Sequence, residues 1–162
     1  MQSGIAGSGI PLNCLDHVAY VVKSVDETTK FLSAVFGLGP WTEPFDYAPR
    51  KEELTCGKPF SMRAQQTKIG AVEFHLIQPL DEDSYFAQWM KTHGEGLHHI
   101  AFAPSMYSEV VSKLQKQPGM KMMLGAGEFG KHWCYFEANP GNMIIEIQGL
   151  GMHDPLFEKI QL

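Results

Sequence analysis

Cysteine is scarce in this chain. Cys14, Cys56 and Cys134 are an odd number with no metal-knuckle spacing, so neither a disulfide framework nor a structural zinc site follows from them. They read as free thiols that pack as small hydrophobes in a reducing compartment. Long apolar runs are also missing: no stretch of eighteen such residues exists to span a membrane. The opening Met1-Gln2-Ser3-Gly4-Ile5-Ala6-Gly7-Ser8-Gly9 has neither the charged start nor the apolar core of a secretory signal. Positive charge is in short supply as well. With 13 Lys and Arg against 18 Asp and Glu the net charge is −5, which leaves no basic field for nucleic acid or an anionic membrane surface. These absences predict a cytoplasmic protein whose partner is a small molecule.

What is present is an ordinary globular composition, 44% hydrophobic and 19% charged over 162 residues. A chain of this size buries about 70% of its unfolded surface and needs no cross-link to be stable. Its clearest internal feature is a repeat. Leu15-Asp16-His17-Val18-Ala19-Tyr20 returns half a chain later as Leu97-His98-His99-Ile100-Ala101-Phe102, both reading Leu-x-His-β-branched-Ala-aromatic. The alternation is that of a strand, which places Leu15, His17 and Ala19 on one face and Val18, Tyr20 and Val22 on the other. In the second copy Leu97, His99 and Ala101 share the first face. Ile100, Phe102 and His98 are expected on the second, which suits packing against a helix.

The rest of the chain follows a twofold plan. Residues 1–12 are expected to be a flexible arm, 13–80 a first module, 81–93 a linker helix, 94–150 a second module and 151–162 a tail with a short helix. In the first module a strand over 15–22 leads to a helix ending at Phe36, with Ser24 or Asp26 as its cap and Phe31, Leu32, Val35 and Phe36 at helical spacing. Trp41 is expected to open a second strand. A polar stretch over 45–58 reads as a loose loop or short hairpin, and strands over 60–67 and 71–78 flank a turn at Gly70. In the second module a helix over 105–116 precedes strands over 121–124, 132–137 and 143–148, with Asn139-Pro140-Gly141-Asn142 as a turn. Each module thus reads β-α-β-β-β. The fold class is α+β, two paired modules forming a cupped mixed sheet.

Applied to the last strand of each module, the repeat matches His75, in Phe74-His75-Leu76-Ile77-Gln78, with Glu146, in Ile145-Glu146-Ile147-Gln148. Each module then offers one group from its first strand and one from its last, His17 with His75 and His99 with Glu146. A carboxylate between two isoleucines is costly to bury unless it is paired or binds a cation. Imidazoles and a carboxylate together suit Zn, Co, Ni, Mn or Fe rather than Ca. The remaining histidines, His93, His98, His132 and His153, read as structural.

These motifs, together with Phe36-Gly37-Leu38-Gly39-Pro40-Trp41, Leu76-Ile77-Gln78-Pro79-Leu80 and Gly94-Glu95-Gly96 before the second repeat, resemble the vicinal-oxygen-chelate superfamily, most of all methylmalonyl-CoA epimerase-like and glyoxalase-like proteins. The resemblance runs over about 13–150. It implies a homodimer, a divalent metal held by His17, His75, His99 and Glu146, and a metal-stabilised enolate formed from a small carbonyl or acyl-thioester substrate, with Glu146 as the proton shuttle. Two departures stand out. His75 occupies a place where the family holds Glu or Gln, and the position of the second catalytic carboxylate falls near Phe60 or Ser61, with Glu52, Glu53 and Glu73 close by in sequence. A one-base isomerase or lyase therefore fits better than a true epimerase. Trp41, Phe60, Met62, Trp133 and Tyr135 are candidates to line the pocket, and Tyr47, Arg50 and Lys51 to meet a substrate anion. The alternatives are an Fe(II) extradiol-type dioxygenase using His17, His99 and Glu146, with His75 as an acid or base, and a small-molecule binding protein without catalysis.

Overall fold

In the computed structural model the chain runs β1 (Leu15–Val21), α1 (Val25–Phe36), β2 (Phe45–Tyr47), a 3-10 turn (Lys51–Glu53), β3 (Leu54–Cys56), β4 (Met62–Ile69), β5 (Val72–Pro79), α2 (Tyr85–His93), β6 (Gly96–Phe102), α3 (Tyr107–Leu114), β7 (Met120–Glu128), β8 (Lys131–Ala138) and β9 (Met143–Gln148). The structure describes Leu12, residues 15–128 and residues 131–149; the expected arm and tail, Cys14 and His153 fall outside these residues. Among the described residues no helix is long and apolar enough to cross a membrane.

The two copies of the repeated strand lie side by side. β1 pairs antiparallel with β6, β5 runs parallel to β1, and β9 runs parallel to β6. The full order is β2-β4-β5-β1-β6-β9-β8-β7-β3, so the halves are related about the β1–β6 seam. Register makes the relation explicit. Ala19 stands opposite His75 in the first half, and Ala101 opposite Glu146 in the second.

The sheet is curled, and chain length shows why it has to be. β2 and β3 are the two outermost strands, yet the connection from Tyr47 to Leu54 can reach at most about 25 Å. Nine strands laid flat would span about 38 Å. The 45–58 stretch is therefore not the loose loop or hairpin its polarity suggests. β2 pairs with β4 on one lip, and β3 pairs with β7 on the other. Tyr47 and Leu54 pack inward on the concave core; three-residue strands are too short to show a period in sequence.

That concave core holds Ala19, Val21 and Ile77 from the first half, Leu124, Ala126, Trp133 and Tyr135 from the second, and Phe60 and Phe86 between them. The Phe60 ring lies 5.3 Å from Phe86, 5.8 Å from Trp133 and 5.9 Å from Tyr47. The convex side carries α1 over Val22, Leu76, Tyr20 and Phe74, and α3 over Cys134, Phe136 and Ile147.

α1 begins where Ser24 accepts a hydrogen bond from the Glu27 amide at 3.2 Å and ends at Gly37, whose φ of +67° is readily adopted only by glycine. It docks through Val25, Thr29 and Leu32, a stripe spaced i, i+4, i+7. Phe31, Val35 and Phe36, which helical spacing also groups, are instead 57%, 56% and 65% exposed; the helix has two apolar stripes and the sheet takes one. Trp41 neither opens a strand nor lines the concave side. Its indole N–H donates to Ser33 Oγ at 2.9 Å and the Leu38 carbonyl at 3.1 Å, and the ring packs near Phe74 on the convex side.

Phe60 joins both halves at the concave core, so Phe60→Ala is expected to cost about 3–5 kcal/mol of stability in urea unfolding. A loss below about 1 kcal/mol would contradict this packing.

Candidate metal centre

Period-2 alternation points His17 of β1, His99 of β6 and Glu146 of β9 into the cup, and all three are buried. Their donor atoms meet in a near-equilateral triangle. His17 Nε2 is 3.0 Å from His99 Nε2 and 3.1 Å from Glu146 Oε2, and His99 Nε2 is 2.9 Å from the same oxygen. Atoms bearing lone pairs repel at such distances unless a proton or a cation lies among them. The edges match a face of an octahedron with ligand bonds of about 2.1 Å. These three residues are the group of donors that could hold a metal ion among the described residues, and two imidazoles with one carboxylate suit a divalent transition metal.

His75 comes to the same place without joining the triangle. Its ring stacks on His17, with centroids 3.8 Å apart and planes 15° apart, while its Nε2 lies 3.2 Å from Glu73 Oε2. Of the expected lining residues, Phe60, Trp133 and Tyr135 are in the concave core and Met62 packs against it. Arg50 is engaged by Glu53 within the turn between β2 and β3. The sites near which a second carboxylate was expected are filled otherwise: Phe60 is buried among rings, and the Ser61 amide donates to Asp81 Oδ2 at 2.7 Å.

Three further residues back the triangle: Asp16 and Gln148, to which the sequence pattern gives no role, and His98, which it reads as structural. His17 Nδ1 lies 2.8 Å from Asp16 Oδ2, and Gln148 Nε2 donates to the same oxygen. His99 Nδ1 lies 2.8 Å from His98 Nδ1. His98 was expected on the outer face with Ile100 and Phe102. A register shift in the β1–β6 pairing takes Ala19 to His99 but Tyr20 to Leu97, so His98 is the extra residue of a bulge and turns inward. There it meets Tyr85, Phe86 and Trp89 of α2, with ring centroids 5.4, 5.0 and 5.0 Å away. Its Nε2 is buried with no hydrogen-bond partner, a state costing about 1–3 kcal/mol.

Charge follows from burial and contact. Burial alone would depress His17, but hydrogen bonds to Asp16 and Glu146 raise its pKa from 6.5 to about 9. Burial would raise Glu146, yet the two histidines hold its carboxyl well below the usual carboxylate range. Burial lowers His99 in spite of Glu146. It also keeps His98 neutral, helped by the proximity of His99, and keeps Tyr135 protonated, helped by the Glu146 charge.

A profile of the Glyoxalase/Bleomycin resistance protein/Dioxygenase superfamily matches residues 16–148, which include all of these residues. The chain belongs to this superfamily. The uncharacterized protein YqjC of Bacillus subtilis (strain 168) is 32% identical over 106 residues, 65% of this chain and 68% of that protein. Among solved structures, a methylmalonyl-CoA epimerase in complex with methylmalonyl-CoA and NH4+ superposes with a TM-score of 0.62 at 22% identity, covering 87% of this chain and 96% of that one. Methylmalonyl-CoA epimerase from Mycobacterium tuberculosis gives 0.61 at 19% identity, covering 85% and 88%. At these identities the two structures establish a shared fold.

Because the folded pKa of His17 lies above its ordinary value, the stability it contributes is complete below pH 6.5 and is lost as pH rises through about 9. Without metal the protein should lose up to about 1.4 kcal/mol per pH unit across that window in urea unfolding. Stability that is flat or rising there would contradict the assigned protonation.

Proposed function

We propose that the protein is a metal-dependent isomerase, epimerase or lyase acting on a small carbonyl or acyl-thioester substrate through an enolate. His17, His99 and Glu146 would hold a divalent cation, Zn, Co, Ni, Mn or Fe, with His75 as the fourth donor. The observation that carries this reading is the buried triangle of Nε2, Nε2 and Oε2 atoms about 3 Å apart. His75 is supported by its place opposite Ala19, which mirrors Glu146 opposite Ala101, and by its stack on His17. Superposition on an epimerase that holds methylmalonyl-CoA supports the thioester class.

A cation bound there supplies Lewis acidity to a substrate oxygen. Glu146, ionised and facing the concave side, is the group that takes the proton from the carbon beside the carbonyl. Tyr135, held protonated next to Glu146, keeps a hydroxyl donor at the site. Phe60 and Trp133 keep water from that side of the cup. With Phe60 near where a second carboxylate was expected, one-base chemistry is favoured over two-base epimerisation.

Loaded with zinc or cobalt and incubated in deuterated water with acyl-CoA thioesters and 2-oxo acids, the protein should exchange the proton beside the carbonyl of at least one of them. Glu146→Gln should slow that exchange about 100-fold or more; no exchange with any substrate would contradict the proposal.

A second reading is favoured by one detail. The converging donors are two histidines and a carboxylate, the face used by non-haem Fe(II) oxygenases, while His75 Nε2 is directed to Glu73. Fourfold ligation predicts that His75→Ala weakens metal binding about 10-fold or more. Unchanged affinity, together with oxygen uptake by the iron-loaded protein on a catechol, would decide for the oxygenase.

A further inference from the structure

The β1–β6 seam contains two bulges, and both fall on the residue just before a triangle histidine. Pairing steps from Leu15–Phe102 to His17–Ala101, which leaves Asp16 over in β1, and from Ala19–His99 to Tyr20–Leu97, which leaves His98 over in β6. A residue in regular alternation would point away from its neighbour's side chain. A bulge re-aims it, and each of these two side chains ends 2.8 Å from Nδ1 of the histidine that follows.

We propose that Asp16 and His98 are positioning residues, one per repeat, that fix the outer nitrogen of each triangle histidine as a proton donor so that its Nε2 faces the cation. The inference rests on the metal reading given above. For His17 the outer acceptor is a carboxylate, which can only accept from Nδ1–H and is itself held by Gln148. For His99 the acceptor is an imidazole. With Nδ1–H of His99 donating, His98 accepts through Nδ1 and carries its own proton on Nε2. That nitrogen is the buried one without a partner, enclosed by the rings of α2. The orphaned N–H thus accompanies the aim of His99, and α2 clamps the imidazole in place. The two halves are unequal: a charged acceptor makes His17 the more basic ligand, and a neutral one leaves His99 the weaker.

The test measures cobalt(II) affinity by competition with a chromophoric chelator, with near-ultraviolet circular dichroism of the metal-free proteins as the check on folding. His98→Leu keeps bulk without an acceptor, whereas His98→Asn returns an acceptor near the Nδ1 position. The expected result is an affinity loss of about 10- to 100-fold for His98→Leu, largely recovered in His98→Asn, and a larger loss for Asp16→Ala. Equal affinities in wild type and folded His98→Leu, or equal losses in the Leu and Asn variants, overturn the inference while the metal reading stands. A wild type that binds no cobalt removes both. Nitrogen-15 spectra of the zinc-loaded wild type need no variant: they should show His98 protonated on Nε2 and His99 on Nδ1. A His98 proton on Nδ1 overturns the proposal.

Discussion

Two imidazole nitrogens and a carboxylate oxygen held about 3 Å apart in a buried cup are the constraint around which this protein is arranged. Such a cluster cannot persist as bare lone pairs. A proton shared within it raises His17 and lowers Glu146, and a cation would take that proton's place, holding Glu146 ionised and the imidazole nitrogens deprotonated. The rest of the structure serves the convergence. A parallel strand flanks each member of the β1–β6 pair, so the rungs bearing His75 and Glu146 fall next to those bearing His17 and His99. The curl of the sheet, held by the short connection between its lips, and the aromatic packing of Phe60, Phe86, Trp133 and Tyr135 then keep the cluster dry.

Duplication explains the symmetry and also its limits. Ala19 and Ala101 are equivalent small residues that leave room beside the histidines on the concave face. Their partners, His75 and Glu146, differ, and so do the residues ahead of the repeated histidines, Asp16 and His98. Each substitution breaks the symmetry electrically while keeping it geometrically. One half contributes two imidazoles backed by carboxylates, Asp16 behind His17 and Glu73 beside His75. The other contributes a carboxylate and an imidazole backed by a neutral ring. Negative charge available to balance a cation thus lies in both halves, at Asp16 and Glu73 in one and Glu146 in the other.

Much of this was legible because strands are periodic and the chain repeats. The His-x-Ala pairs marked the inward face of β1 and β6, and the isolated Glu146 between isoleucines identified a buried carboxylate; Leu15 and Leu97, expected on that same face, are carried by the two bulges to the side of Phe102 and Tyr20. What stayed hidden has physical causes. Bulges add one residue without altering composition, so the inward turn of His98 contradicts simple alternation. β3 is three residues long and pairs with a strand far along the chain, information that only the folded sheet contains. Phe31, Val35 and Phe36 compete with Val25, Thr29 and Leu32 for the same sheet, and spacing alone cannot choose between them. Trp41 was misplaced because its indole N–H is satisfied by Ser33 and Leu38 on the convex side.

X-ray absorption on protein loaded with one equivalent of zinc reads the donors around the ion. The expected spectrum has a nitrogen and oxygen shell at about 2.0–2.2 Å with outer scattering from at least two imidazoles, lost in the double variant His17→Ala, His99→Ala. Zinc surrounded by oxygen with no imidazole scattering, or a signal unchanged in that variant, would contradict ligation by the two histidines.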